Sequence, residues 1–70
     1  MASSVMRCRQ LARARAEAEE SIGRMDGLLA IAERQGNTDK ARALQAKRAE
    51  LVDRERSCRK AYAREGCGTL

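Results

Sequence analysis

Three cysteines, at positions 8, 58 and 67, are the most reactive side chains in this 70-residue sequence. The sequence contains no histidine, so a closed zinc site would need a fourth ligand from a carboxylate or water, which disfavours metal binding. If the two halves of the chain fold against each other, Cys8 and Cys67 lie close enough for a disulfide. We favour the reduced alternative, two small buried side chains and one surface thiol, because cytoplasmic cysteines are normally reduced.

No set of residues in the sequence is typical of a catalytic site. Histidine is absent, no Gly-rich phosphate-binding loop is present, and the acidic residues are spaced as helix-surface partners of basic ones, for example Glu55 and Arg59. We therefore expect a protein that is not an enzyme and that uses no cofactor.

The basic residues are concentrated near the two ends of the chain, which carries 15 Lys and Arg against 10 Asp and Glu and a formal charge of +5. Clustered arginines bind phosphates by releasing counterions. However, Tyr62 is the only aromatic side chain that could stack on a base. The candidate contacts to nucleic acid or to an acidic partner are Arg7, Arg9, Arg13, Arg56, Arg59 and Lys60.

The elements that position these residues are two helices separated by Gly36-Asn37-Thr38 near the midpoint of the chain. Proline is absent, and the abundant Ala, Arg, Glu and Leu lose little side-chain entropy in a helix. We predict an all-α fold in which residues 1–70 form one antiparallel helical hairpin. Its predicted parts are helix 1 over about 4–35, a turn at 36–38, helix 2 over about 38–65, and a short tail at 66–70.

Residues that cap helices mark both ends of each predicted helix. A glycine after a helix can adopt the left-handed conformation that ends it, and a Ser, Thr or Asn side chain can accept the unpaired N–H groups of a first turn. The predicted caps are Ser3 or Ser4 before helix 1, Gly36 after it, Asn37 or Thr38 before helix 2, and Gly66 after it.

Apolar side chains recur at alternating steps of three and four along both helices, as they do where two helices pack side by side. They are too few to stabilise a lone 70-residue chain, so we predict a homodimer that forms a four-helix bundle. The residues predicted to mediate self-association or partner binding are Ile22, Met25, Leu28, Leu29, Ile31, Leu44, Arg48, Leu51, Val52, Glu55 and Tyr62.

Two members of this set, Arg48 and Glu55, are charged although they occupy seam positions. Either they form a buried ion pair or partner contact between subunits, or their long side chains extend outward to solvent. Gly23 and Gly27 lie on the opposite face of helix 1, where they either admit a second helix at close range, or allow a local bend, or are simply tolerated.

The sequence gives weak information about location. No apolar run is long enough to cross a bilayer, and we predict a cytoplasmic protein. The alternative is mitochondrial, because residues 1–16 are Arg-rich and free of acids like a presequence. Residues 67–70 weakly match a geranylgeranylation box, in which Gly68 is a poor aliphatic substitute.

Together these features predict a small basic interaction protein that binds another protein as a regulator, adaptor or inhibitor, of the size that bacterial, phage and mobile-element genomes often encode. One alternative is a nucleic-acid-binding dimer that uses the Arg-rich end. Another is a structural subunit of a larger assembly, such as a mitochondrial one, in which neighbours cover the apolar seam.

Overall fold

The computed structural model describes residues 2–69, which form two long antiparallel helices joined by a tight turn. Helix α1 spans Ala2–Arg34 and helix α2 spans Thr38–Arg64, and a single 3-10 turn at Cys67–Thr69 follows. The molecule is a rod with extents of 52 × 16 × 14 Å. The predicted all-α hairpin is confirmed, and both helices agree with their predicted bounds to within two residues.

The turn between the helices is made by Gly36, whose φ of 69° places it in the left-handed region. Its N–H donates to the Glu33 carbonyl at 3.1 Å, and the Asn37 N–H donates to the Ala32 carbonyl at 2.9 Å. These two bonds define a Schellman motif, which satisfies the last carbonyls of α1. Asn37 then caps α2, since its side-chain oxygen accepts the Lys40 N–H at 3.2 Å. The predicted roles of Gly36 and Asn37 are confirmed.

Replacing Gly36 with Ala is expected to lower the free energy of unfolding by about 1 kcal/mol, because a Cβ disfavours the left-handed backbone. A Cβ at this position would meet no atom within 4 Å, so the loss would come from the backbone alone. Urea unfolding followed by circular dichroism measures it. Gly68→Ala is the control, since Gly68 has equally open surroundings without a positive φ. Equal losses of unfolding free energy in the two variants would contradict the requirement for a left-handed backbone at Gly36.

The start of α1 differs from prediction, whereas the end of α2 agrees with it. Helix α1 already includes Ala2, so the backbones of Ser3 and Ser4 lie inside its first turn and neither residue precedes the helix as a cap. Ala2 is a strong helix former, which lets the helix begin before the serines. Helix α2 ends as predicted, because Gly66 adopts a φ of 72° and its N–H donates to the Ala63 carbonyl at 3.0 Å.

The core between the helices is thin. Among residues whose burial is described, the small Ala32 is 1% exposed, but no large apolar side chain is less than 7% exposed. Many of the larger apolar side chains are only half-buried, so each contributes less than the full hydrophobic stabilisation of a buried residue. The half-buried set is Ile22, Met25, Leu44, Leu51, Val52 and Tyr62. The buried apolar set is Cys8, Leu11, Ala18, Leu29, Ala32 and Cys67.

Candidate functional site

A disulfide closes the open end of the hairpin, the end away from the turn. It joins Cys8 of α1 to Cys67, 59 residues later, with the two Cα atoms 5.6 Å apart. The structure therefore contains the Cys8–Cys67 disulfide that the hairpin geometry allows. The favoured alternative, in which both cysteines are reduced, does not hold. The left-handed Gly66 precedes Cys67 and redirects the chain beyond α2, so that both cysteines are buried. Cys58 remains a free, half-buried thiol.

The bridge also bears on the weak lipidation signal at residues 67–70. A prenyl group is attached through a thiol, which Cys67 does not have while it is bonded to Cys8. Leu70, the last residue of that signal, lies outside the described residues.

Glu55 is the buried centre of an otherwise partly exposed ion cluster near the middle of the hairpin. It is 8% exposed, and one carboxylate oxygen accepts from Arg15 Nε at 3.2 Å while the other accepts from Arg59 Nη2 at 2.9 Å. Arg15 has a second carboxylate partner in Glu19 at 3.4 Å. The interpretation in which Glu55 extends outward to solvent is wrong, because the side chain is 8% exposed and is held by arginines of its own hairpin. The pairing of Glu55 with Arg59, four residues later, is confirmed.

Arg48, the other charged seam residue, forms an ion pair across the hairpin. Its Nε lies 2.6 Å from Oδ1 of Asp26, so a residue of α2 is paired with one of α1 at a partly exposed position. This contact is within one chain, and it lies at the edge of the hairpin, as outward extension of a long side chain predicts. The partner could have been identified from sequence, since an antiparallel pairing that brings 8 near 67 also brings 26 near 48.

The six basic residues predicted to contact nucleic acid or an acidic partner form two groups, those that pair with a carboxylate of the hairpin and those that do not. Arg7, Arg13 and Arg59 are engaged with carboxylates, namely Glu65 at 3.8 Å, Glu17 at 3.4 Å and Glu55 at 2.9 Å. Within residues 2–69, no ion pair is formed by the other three, which are all exposed. The unengaged set is Arg9, Arg56 and Lys60.

Two exposed apolar side chains lie close to Arg9 in the chain. Val5 is 44% exposed and Met6 is 58% exposed, and both precede the disulfide-bonded Cys8 in α1. We call Val5, Met6, Arg9 and Lys60 the open-end surface. It combines positive charge with apolar side chains on a backbone that the bridge holds in place.

A second apolar surface lies on α1 near the turn. Leu28 is 42% exposed and Ile31 is 47% exposed. Gly23 and Gly27 are beside them, and a Cβ built at either glycine meets nothing within 4 Å. We call these four residues the turn-end patch. Of the apolar residues predicted to bind a partner, Leu28 and Ile31 are the two classed as exposed, whereas the others are buried or half-buried.

The seam residues of α2 lie against α1. Tyr62 lines a groove together with Ala12 and Ala16, and Leu51 lines another with Ala14 and Ala18. These side chains therefore contribute to holding the hairpin together.

No protein-family model matches the chain, and neither a curated protein nor a solved structure is significantly similar to it. Over the described residues, neither helix has a segment long and apolar enough to cross a membrane.

Proposed function

We propose that this protein works by binding: it self-associates into a four-helix assembly and presents its open-end surface to an acidic partner protein, as a regulator, adaptor or inhibitor with no catalytic activity of its own. The observation that carries the proposal is the placement of exposed apolar side chains. Val5 and Met6 lie at one end of the rod, and Leu28 and Ile31 lie towards the other.

Self-association is supported by the thin core. A 70-residue chain has little apolar area to bury, and this one leaves two large aliphatic side chains of a single helix in water at 42% and 47% exposure. Covering them with a second copy removes apolar surface from water, which is the main favourable term in most associations of proteins.

The choice of an acidic protein as partner is supported by the chemistry of the open-end surface. Met6 has a flexible, polarisable side chain that adapts to different apolar partners. Arg9 and Lys60 are available to pair with carboxylates of a partner because no ion pair within the described hairpin occupies them. The disulfide holds this end in one shape, so less conformational entropy is lost on binding.

The bridge also favours an oxidising compartment, where disulfides persist, over the reducing cytoplasm of the sequence prediction. In such a compartment the open-end surface would be permanently pre-organised.

Met6→Asp is expected to weaken capture of the partner about tenfold, because it places a carboxylate in an apolar contact and repels an acidic surface. Immobilised wild-type and variant proteins would be compared for capture of acidic proteins from an extract of the native source, with binding followed as salt is raised. Arg42→Gln, at an exposed position of α2 near the turn, lowers the net charge by the same one unit and is the control for a general change of charge. Equal capture by wild type and Met6→Asp would reject this surface.

Nucleic acid is the second candidate, favoured by the unengaged Arg56 and Lys60, which lie one turn apart on α2. Fluorescence anisotropy with a mixed-sequence duplex would test it. Binding through phosphates requires the logarithm of the affinity to fall linearly with the logarithm of salt concentration, and replacing both residues with Ala should reduce the slope by about two. Binding to a protein but not to the duplex would reject this candidate.

A further inference from the structure

One face of α1 is unpartnered along its second half. Its five residues follow steps of three and four, so they fall on one stripe of the helix, opposite the stripe that packs on α2. They are Glu20, Gly23, Gly27, Ile31 and Arg34. All five are exposed. Within the described residues neither Glu20 nor Arg34 has an ion-pair partner, although most other acids of the hairpin have one.

The stripe is complementary in charge and shape to a second copy of itself that runs in the opposite direction, with Gly27 at the centre. The residue seven positions before Gly27 is Glu20 and the residue seven positions after it is Arg34. Four positions before it is Gly23, which leaves open space, and four positions after it is Ile31, which projects into solvent at 47% exposure. Each feature therefore has an opposite at the matching distance on the other side: an acid against a base, and a gap against a large side chain.

We infer that a second copy of this chain packs on this face, with the two α1 helices antiparallel and a two-fold axis passing near Gly27. Two-fold symmetry requires that residue i of one copy face residue j of the other and j face i, which the reversed stripe satisfies. Ile31 of each copy then lies at the level of Gly23 of the other, and Glu20 of each lies at the level of Arg34 of the other. This inference rests on the proposed self-association and specifies its surface and its direction.

The distribution of charge supports the antiparallel direction. The basic residues at positions 7–13 lie about 20–30 Å along the helix from Gly27. An antiparallel pair places the two basic ends on opposite sides of the axis, about 50 Å apart, which is several Debye lengths at physiological salt. A parallel pair would bring the two ends together and oppose association in a molecule with a formal charge of +5.

The predicted complex is elongated and weak. The paired segments span residues 20–34, about 21 Å of helix, which is short for a protein interface. We therefore expect a dissociation constant in the micromolar range. Because the stripe faces away from α2, the four helices lie in one layer with the two α1 helices in the middle, a flatter arrangement than a square bundle.

A charge exchange tests the pairing. All variants would carry Cys58→Ser, which removes the free thiol and with it any disulfide between copies. Glu20→Arg and Arg34→Glu are each expected to raise the dimer dissociation constant about tenfold, since each creates two like-charge contacts by symmetry. The double variant restores opposite charges and is expected to return to within about threefold of the parent. Sedimentation equilibrium of the 7.8-kDa chain measures all four constants.

Glu33→Arg is the matched control, because Glu33 is exposed at the same end of α1 but lies off the stripe. A second measurement is independent of charge: with Gly27→Cys, mild oxidation should give a covalent dimer, whereas Ala46→Cys on exposed α2 should not. If the parent dimerises, but neither single exchange weakens the dimer and Gly27→Cys gives no covalent dimer, the assigned face is wrong while self-association still holds. A parent that stays monomeric at submillimolar concentration would overturn the self-association as well.

Discussion

Replacing Cys8 with Ala is expected to lower the free energy of unfolding by about 4 kcal/mol, the largest effect of any single change considered for this chain. The bridge links residues 59 positions apart, so it restricts nearly the whole unfolded chain and removes much of its conformational entropy. A domain of this size seldom has more than a few kcal/mol of net stability. The variant should therefore be only marginally folded. Thermal and urea unfolding at a fixed protein concentration would measure the loss.

The remaining cysteine variants separate the bridge from the packing of its sulfur atoms. Cys67→Ala and the double replacement of Cys8 and Cys67 should match Cys8→Ala, because all three remove the same bond. A dithiol reductant should lower the stability of the wild type to a similar level and leave the variants unchanged. Cys58→Ala should change stability little under either condition, since Cys58 is free. A wild type whose unfolding is insensitive to reductant would contradict a stabilising role for the bridge.

Glu55→Ala is expected to lower the free energy of unfolding by about 2 kcal/mol, because it removes the shared carboxylate of two arginines and leaves a gap at a nearly buried position. The loss is smaller than for a fully buried ion pair, since Arg59 is largely exposed and Arg15 retains Glu19 at 3.4 Å. Urea unfolding under oxidising conditions, with the disulfide intact, would measure it.

Two comparisons test the explanation for Glu55. Glu50→Ala removes an exposed acid of α2 whose nearest basic partner, Lys47, is 3.9 Å away, and should change stability by less than about 0.5 kcal/mol. Glu55→Met keeps the length of the side chain and fills the gap without a charge, so it should lose less stability than Glu55→Ala. Equal losses for Glu50→Ala and Glu55→Ala would mean that the buried cluster contributes nothing beyond an ordinary surface pair.

The hairpin could be predicted because its signals are local. The helix-forming composition, the steps of three and four, and the glycine followed by an asparagine each act over one or two helical turns, so neighbouring residues suffice to read them. Gly36 and Asn37 occupy the predicted positions in the turn. The serines near the start of α1 were misread, because a capping residue competes with the helix propensity of the residues before it and sequence alone does not rank the two.

The ion pairs were less accessible to sequence reasoning. The pairing of Arg59 with Glu55 follows from their separation of four residues, whereas the contact of Arg15 with Glu55 joins residues 40 apart. Glu55 occupies a predicted seam position, so the sequence did indicate an acid that faces the other helix. What sequence could not supply was the choice between pairing inside one hairpin and pairing between two copies, since both satisfy the same charges.

The amino-acid sequence by itself determined that this protein is a basic, all-α hairpin with a turn at Gly36, because helix propensity and capping depend on residues close together in the chain. Only the tertiary structure decided that Cys8 bonds to Cys67, that Glu55 is held by two arginines of its own chain, and that Leu28 and Ile31 are exposed while Leu29 is buried. These outcomes depend on which distant side chains come within a few ångströms of one another once the two helices have packed.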